Sequence, residues 1–281
     1  MPELPEVETV VRDLRPLLCG TTILSVIKPP EAIRRAGKHP WEAVLKNRHF
    51  ESISRRGKWI IHHLDNKGHL LIHLGMTGQL LVQPKGHGLT DHLHMILALD
   101  QTFEWKFRDI RRFGNIQYFA NPTDLALFWT KQNLGPEPFK VDRHYWATRL
   151  KGTSRNLKAL LLDQTLLAGL GNIYADEALH LAKLHPEMRG QNLTSKQNEC
   201  LLRAIENVLT ESIKNRGSTI RDYVGGSGLK GGQQLNLQVY GRTDNPCFTC
   251  GNPIKRTVLA GRSTHFCPKC QLGQPRKSIE S

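Results

Sequence analysis

The chain has 281 residues, with 39 Lys+Arg against 25 Asp+Glu, a formal charge of +14 with histidines neutral. Apolar residues make up 39% and charged residues 23%, ordinary globular usage that excludes a disordered tail protein, and the length predicts two domains. The longest uncharged stretch, Gly68 to Pro84, holds His69, His73, Gln79 and Gln83 and is no membrane span, while an acidic opening, Met1-Pro2-Glu3-Leu4-Pro5-Glu6, is no secretory leader; both predict a soluble, cytoplasmic protein.

Residues 3–18 read as an amphipathic helix, with Val7, Val10, Val11, Leu14 and Leu18 at helical spacing and Glu3 and Glu6 at its positive end. From 21 to 119 the pattern is short β-type runs, among them 23–27, 59–64, 70–74, 93–99 and 103–107, broken by Gly, Asn and Pro turns. Such a succession predicts a sandwich or barrel. After Asn121-Pro122 the chain turns helical, and Leu134-Gly135-Pro136-Glu137-Pro138 breaks it. A helix is expected near 155–163, a turn at Gly169-Leu170-Gly171, a second helix from Asn172 and a long third one capped by Thr194 and Gln197. The run 224–234 has five glycines and reads as a mobile loop, and the last eleven residues read as a frayed basic tail.

Charge and cysteines carry the first functional signals. Residues 28–58 hold nine Lys/Arg against three acids, and residues 217–281 repeat that ratio. Two basic regions, one per expected domain, suit a polyanionic duplex lying in a cleft, because Lys and Arg gain affinity by releasing phosphate counterions; the alternative is a merely basic surface. Four of the six cysteines form the pattern Cys247-x2-Cys250, sixteen residues, Cys267-x2-Cys270. In a reducing compartment this reads as one structural zinc ion (Zn2+) held by four thiolates; two disulfides would suit a secreted domain instead. Cys19 and Cys200 read as buried small hydrophobes rather than reactive thiols.

Other candidates are weaker taken singly. His92 and His94 could bind metal on one strand face, but no third ligand has suitable spacing. Gly169-Leu170-Gly171 is not a dinucleotide fingerprint, since Tyr174 stands where the third glycine belongs; it exposes the N–H groups opening the Asn172 helix, a phosphate site. Pro2, after removal of Met1, would be a secondary amine partly neutral at pH 7, able to form a Schiff base with an aldehyde-like carbon. Glu3 and Glu6 stand beside it to move protons.

Taken together, PELPEVETV at 2–10, RRGKW at 55–59, HLGMTG at 73–78, RDIRRFG at 108–114, LGPEP at 134–138, GLGNIYADEAL at 169–179, QVYGR at 238–242 and the cysteine cluster resemble formamidopyrimidine-DNA glycosylases in order and spacing. The resemblance covers nearly the whole chain. It implies an α+β multidomain fold: an N-terminal β-sandwich with an N-terminal helix, a helical helix–two-turns–helix domain, and a four-cysteine zinc-finger hairpin. The expected boundaries are 1–121 for the catalytic sandwich, 122–150 for a linker, 151–240 for the DNA-binding helical domain with its lesion-recognition loop, and 241–281 for the zinc finger and tail.

The resemblance implies a monomeric glycosylase/AP lyase that excises 8-oxoguanine and formamidopyrimidines from double-stranded DNA and cleaves the strand by β- and δ-elimination. It implies work in the cytoplasm, on the nucleoid in a bacterium, and no membrane partner. Pro2 would be the nucleophile and Glu3 the acid/base. Lys58, Asn172 and Arg262 would grip phosphates, with His92 and Lys158 as further DNA contacts. Met76, Arg111 and Phe113 would fill the gap left by the flipped base, Arg111 also facing the widowed cytosine, and the 217–234 loop would close over that base. Ile110 departs from the proline usual in the family's DPRRFG motif. Two other readings are an endonuclease VIII-type enzyme for oxidised pyrimidines and a non-catalytic zinc-finger protein that binds distorted duplexes.

Overall fold

In the computed structural model, which describes residues 2–88, 91–100, 102–218 and 231–272, the first element is helix α1 (Leu4–Leu18). Glu3 is its N-cap residue, and the Glu3 backbone N–H donates to Glu6 Oε2 at 2.8 Å, satisfying one donor the helix start leaves over. Val7, Val10, Val11, Leu14 and Leu18 are all fully buried, so the helical spacing of the sequence becomes a core-facing stripe.

Among the described residues nine strands follow, interrupted by the short helix α2 (Trp41–Leu45): β1 (Ser25–Lys28), β2 (Arg35–Ala36), β3 (Phe50–Arg56), β4 (Trp59–Leu64), β5 (His69–His73), β6 (Gly78–Pro84), β7 (Leu93–Ala98), β8 (Phe103–Asp109) and β9 (Asn115–Phe119). They form a four-stranded sheet in the order β1-β7-β8-β6 and a five-stranded sheet in the order β2-β9-β5-β4-β3. All neighbours are antiparallel except β2 and β9. One core joins α1 to both sheets, with Ile53, Ile60 and Ile72 from one and Leu80, Met95, Trp105 and Phe107 from the other, as expected for a β-sandwich. Helix α3 (Pro122–Gln132) covers the outer face of the five-stranded sheet, placing Leu125, Phe128 and Trp129 against Trp59, Ile61 and Leu71.

The second unit carries α4 (Arg143–Lys151), α5 (Leu157–Leu162), α6 (Asn172–Leu181), most of α7 (Ser195–Lys214) and the hairpin β10 (Lys255–Leu259) and β11 (Arg262–Phe266). The capping box of α7 is present: Thr194 N–H donates to Gln197 Oε1 at 3.0 Å, and Gln197 N–H to Thr194 Oγ1 at 3.2 Å. The hairpin turn, Ala260-Gly261, has φ of +49° and +69°, the type I′ geometry that suits a two-residue connection.

The compact units do not follow chain order. Residues 212–235 pack with 1–134, and 135–211 pack with 236–281. The reason is visible at the end of α7. Ser218 N–H donates to Glu6 Oε1 at 2.7 Å, and Arg216 pairs with Asp13 at 2.6 Å, tying this stretch to α1. The expected linker 122–150 carries α3 and α4, and Cys19 and Cys200, expected to be buried, are exposed. Of the loop 217–234, residues 219–230 lie outside the described residues, as do 273–281 of the tail and Met1. Among the described residues, no helix is long and apolar enough to cross a membrane.

Candidate active site

The first unit holds the N-terminal groups. Pro2 is buried directly ahead of α1, and Glu3 beside it is buried as well. The Gly57 turn, φ +55°, joins β3 to β4 and places the largely buried Lys58 at the start of β4. This turn is anchored back to α1: Arg55 donates Nε to Glu8 at 3.0 Å and Nη1 to the Gly57 carbonyl at 2.9 Å. His73 ends β5 with its ring edge-on to Trp59 at 4.9 Å, and its Nδ1 accepts the Gly75 N–H at 3.0 Å. Burial, with the charges of Lys58 and Arg35 added, pushes the His73 imidazole down to about 4, so it is neutral at physiological pH.

The three expected gap-filling residues come together on two adjoining loops. Met76 lies on the β5–β6 turn and Phe113 between β8 and β9, 38% and 47% exposed respectively. The Arg111 guanidinium lies 4.6 Å from the Phe113 ring centroid, a cation–π contact that holds both in one projecting group. The backbones of the loops touch: a Cβ on Gly75, φ +61°, would stand 2.5 Å from the Phe113 carbonyl carbon. Asp109 fixes this arrangement. It is 0% exposed, accepts the Thr77 hydroxyl on Oδ1 at 2.5 Å and accepts the Gly114 N–H on Oδ2 at 2.7 Å, while the Arg111 N–H donates to Thr77 Oγ1 at 3.0 Å. Sequence reasoning passed over Asp109 and Thr77 as supports, although both stand inside the motifs RDIRRFG and HLGMTG.

His92 and His94 do not share a face. His92 precedes β7 in the left-handed region at φ +54° and is exposed beside Asp91. His94 is buried, with Nε2 2.9 Å from the Asp109 carbonyl oxygen. The turn at His92 and the irregular register between Leu93 and Met95 break the alternation that the sequence pattern suggested.

In the second unit, Asn172 and Arg262 are neighbours through Ser263. Asn172 opens α6, and its Nδ2 donates to the Ser263 carbonyl at 2.9 Å, one residue beyond the exposed Arg262. Lys158, expected among the DNA contacts, is 0% exposed, and its ammonium is occupied by Asp176 at 2.5 Å and the Asn172 carbonyl at 3.0 Å. Asp176 in turn accepts the His265 backbone N–H at 2.8 Å, joining α5, α6 and β11. The adjacent Glu177 accepts three backbone N–H groups, those of Gln238, Val239 and Tyr240, at 2.8–2.9 Å. Helix α6 thus holds the QVYGR segment and the hairpin through two consecutive carboxylates.

The four cysteine sulfurs lie within 4.8 Å of one another, with Cys250–Cys267 at 3.5 Å and Cys247–Cys270 at 3.9 Å. Zn–S bonds of 2.3 Å in a tetrahedron require sulfurs about 3.8 Å apart, so this donor set fits one structural zinc ion. Asn252 supports it by donating Nδ2 to Cys250 Sγ at 3.8 Å.

This arrangement has known counterparts. Residues 1–116 match the family model of the formamidopyrimidine-DNA glycosylase N-terminal domain, residues 134–224 that of its H2TH domain, and residues 244–272 that of the zinc finger found in FPG and IleRS. A formamidopyrimidine-DNA glycosylase of Desulforamulus reducens is 43% identical over 275 residues, covering 96% of this chain and 99% of that protein. The one of Chloroflexus aurantiacus is 44% identical over 276 residues, covering 97% and 98%. Among solved structures, the Lactococcus lactis FPG mutant G226P in complex with a Fapy-dG containing DNA superposes with a TM-score of 0.90 at 35% identity, covering 96% of this chain and all of that one. The Lactococcus lactis Fpg with an abasic site containing DNA gives the same TM-score and identity, covering 96% and 99%. The chain belongs to the formamidopyrimidine-DNA glycosylase family.

Proposed function

We propose that this chain is a bifunctional DNA glycosylase/AP lyase that removes oxidised purines, 8-oxoguanine and formamidopyrimidines, from double-stranded DNA. The observation that carries the reading is the buried Pro2–Glu3 pair at the head of α1. With Met1 removed, the Pro2 nitrogen is a secondary amine at the head of a 15-residue helix, nucleophilic in its neutral form.

The chemistry then proceeds from this amine. Its lone pair attacks the sugar C1′, the bond from C1′ to the base breaks, and the base leaves with a proton. Glu3 protonates the ring oxygen as the sugar opens, leaving an iminium ion on Pro2. That electron sink acidifies the C2′ proton, whose loss expels the 3′ phosphate; loss of a further sugar proton expels the 5′ phosphate. Lys58, Asn172 and Arg262 bind phosphates about the lesion, and His92 adds an outer contact. Met76, Arg111 and Phe113 replace the stacking lost on base extrusion, which is worth a few kcal/mol, order of magnitude. Lys158 supports Asn172 from inside the fold. The enzyme works as a monomer on the bacterial nucleoid.

The test is borohydride trapping on a duplex with one 8-oxoguanine opposite cytosine. A covalent adduct is expected with the native protein, mapped by mass spectrometry to the Pro2 nitrogen, and none with undamaged duplex. An adduct mapped to a residue other than Pro2 overturns the assignment of the nucleophile. Preferential trapping on an oxidised pyrimidine overturns the assignment of the substrate.

A further inference from the structure

Away from these groups, β4 and β5 place two histidines directly opposite each other. His63 pairs with His69 in the antiparallel register, and their Nδ1 atoms are 3.1 Å apart with the rings nearly perpendicular at 88°. The separation matters chemically. Two imidazole nitrogens bound at 2.0–2.1 Å to one tetrahedral ion stand about 3.3 Å apart, so the spacing suits a shared ion once the rings turn from pointing at each other to converge on it. His63 also has a second partner: its Nε2 is 2.7 Å from Ser54 Oγ on β3. A hydroxyl both donates and accepts, so Ser54 can hold the ring in either tautomer, including the Nε2–H form that leaves Nδ1 free to ligate.

We propose that His63 and His69 form a second metal site, on the five-stranded sheet and separate from the cysteine cluster, for a divalent transition-metal ion of the imidazole-preferring class such as Ni2+, Cu2+ or Zn2+. Without the ion, one Nδ1–H donates to the other Nδ1. On binding, that proton moves to the far nitrogen of its own ring, both Nδ1 lone pairs go to the metal, and no proton need be lost. Burial holds both imidazoles below their usual range, so both are neutral ligands at pH 7. Glu51 on the neighbouring strand adds a negative charge that acts on His63 and favours a cation there. Water completes the coordination. The all-nitrogen protein donor set selects against Mg2+ and Ca2+, which prefer oxygen.

The bound ion would staple β4 to β5 and stabilise the folded state in proportion to its free concentration. The test uses the untagged, zinc-loaded full chain dialysed to equilibrium against Ni2+ at neutral pH. One equivalent of Ni2+ is expected with the zinc content unchanged, together with a rise in thermal midpoint. His63→Ala and His69→Ala should each lose both effects, and Ser54→Ala should weaken binding by about tenfold or more. In the native protein, paramagnetic Ni2+ should broaden the side-chain NMR signals of His63 and His69 first, a readout that needs no variant to fold. Failure to bind, binding only as zinc is displaced, an equivalent that survives both alanine variants, or broadening centred on other histidines each overturns the site.

Discussion

Asp109 shows how much of the geometry of the Met76 turn and the Arg111–Phe113 loop rests on one side chain. Its two oxygens accept Thr77 Oγ1–H and the Gly114 N–H, and with it they bind the Met76 turn to the Arg111–Phe113 loop. Asp109→Ala leaves both donors without that acceptor, and an orphaned buried donor costs about 1–3 kcal/mol. The expected outcome is a loss of stability of that size or somewhat more in urea denaturation, with slower excision of 8-oxoguanine. Asp109→Asn keeps an oxygen for Gly114 and offers an NH2 group to Thr77 Oγ1, so it should fall much less. If alanine and asparagine behave alike, the hydrogen bonds are not what holds the loops. Ile110 lies inside the same loop and is 38% exposed, so a proline there is not required for the bonds that Asp109 makes.

At the scale of elements, α6 organises the second unit. Its first residue, Asn172, bonds the hairpin at Ser263, Asp176 bonds both Lys158 and His265, and Glu177 holds residues 238–240. This separates two lysine and arginine roles that sequence alone merges. Arg262 is exposed at the start of β11, so Arg262→Ala should reduce the salt dependence of DNA binding by about one phosphate's worth. Lys158→Met should leave that slope unchanged while lowering stability by about 3–5 kcal/mol, because it strands the Asp176 carboxylate in the interior. A slope reduced by Lys158→Met would place its ammonium on a phosphate instead. The strands differ in legibility for a similar reason. β4 and β5 announce themselves as apolar runs, whereas β3 (FESISRR) carries charges and lies at the edge of its sheet, where Arg55 serves as a tether.

For the whole molecule, two conditions should expose how the units are held. The zinc-finger core is small, Val239, Cys247, Ile254 and Cys267, and two of these four are metal ligands. Chelation should therefore melt the β10–β11 hairpin, remove Ser263 from Asn172 and abolish DNA binding, with the sandwich unit still folded by hydrogen exchange. Binding that survives complete zinc removal would contradict this. Acid should act on the sandwich. Burial pushes His62 down to about 3 and His73 to about 4 from an ordinary 6.5. Above pH 6.5 neither state binds the proton and there is no effect. As pH falls below 6.5 the unfolded chain takes up protons that the folded one refuses. Each group then removes about 1.4 kcal/mol of stability per pH unit until its folded value is reached. Urea midpoints measured from pH 7 to 4 should decline accordingly, and His62→Leu should flatten the decline by up to one proton's worth.

The sequence by itself determined what depends on near neighbours and on regular spacing. The core stripe of α1 follows from a 3.6-residue period, the zinc site from two Cys-x2-Cys pairs, and the Thr194–Gln197 cap from a three-residue interval. The motifs, being ordered along the chain, also placed Met76, Arg111 and Phe113 as one set. Tertiary structure alone decided which side chains face each other across long separations. Thr77 and Asp109 are 32 residues apart, Lys158 and Asp176 are 18 apart, and Glu6 meets Ser218 across 212. The same holds for His63 and His69, only six residues apart, because strand register rather than sequence distance brings their rings together. A lysine in a DNA-binding motif reads as cationic surface until packing encloses it, since burial and pairing are properties of the assembled neighbours and not of the residue.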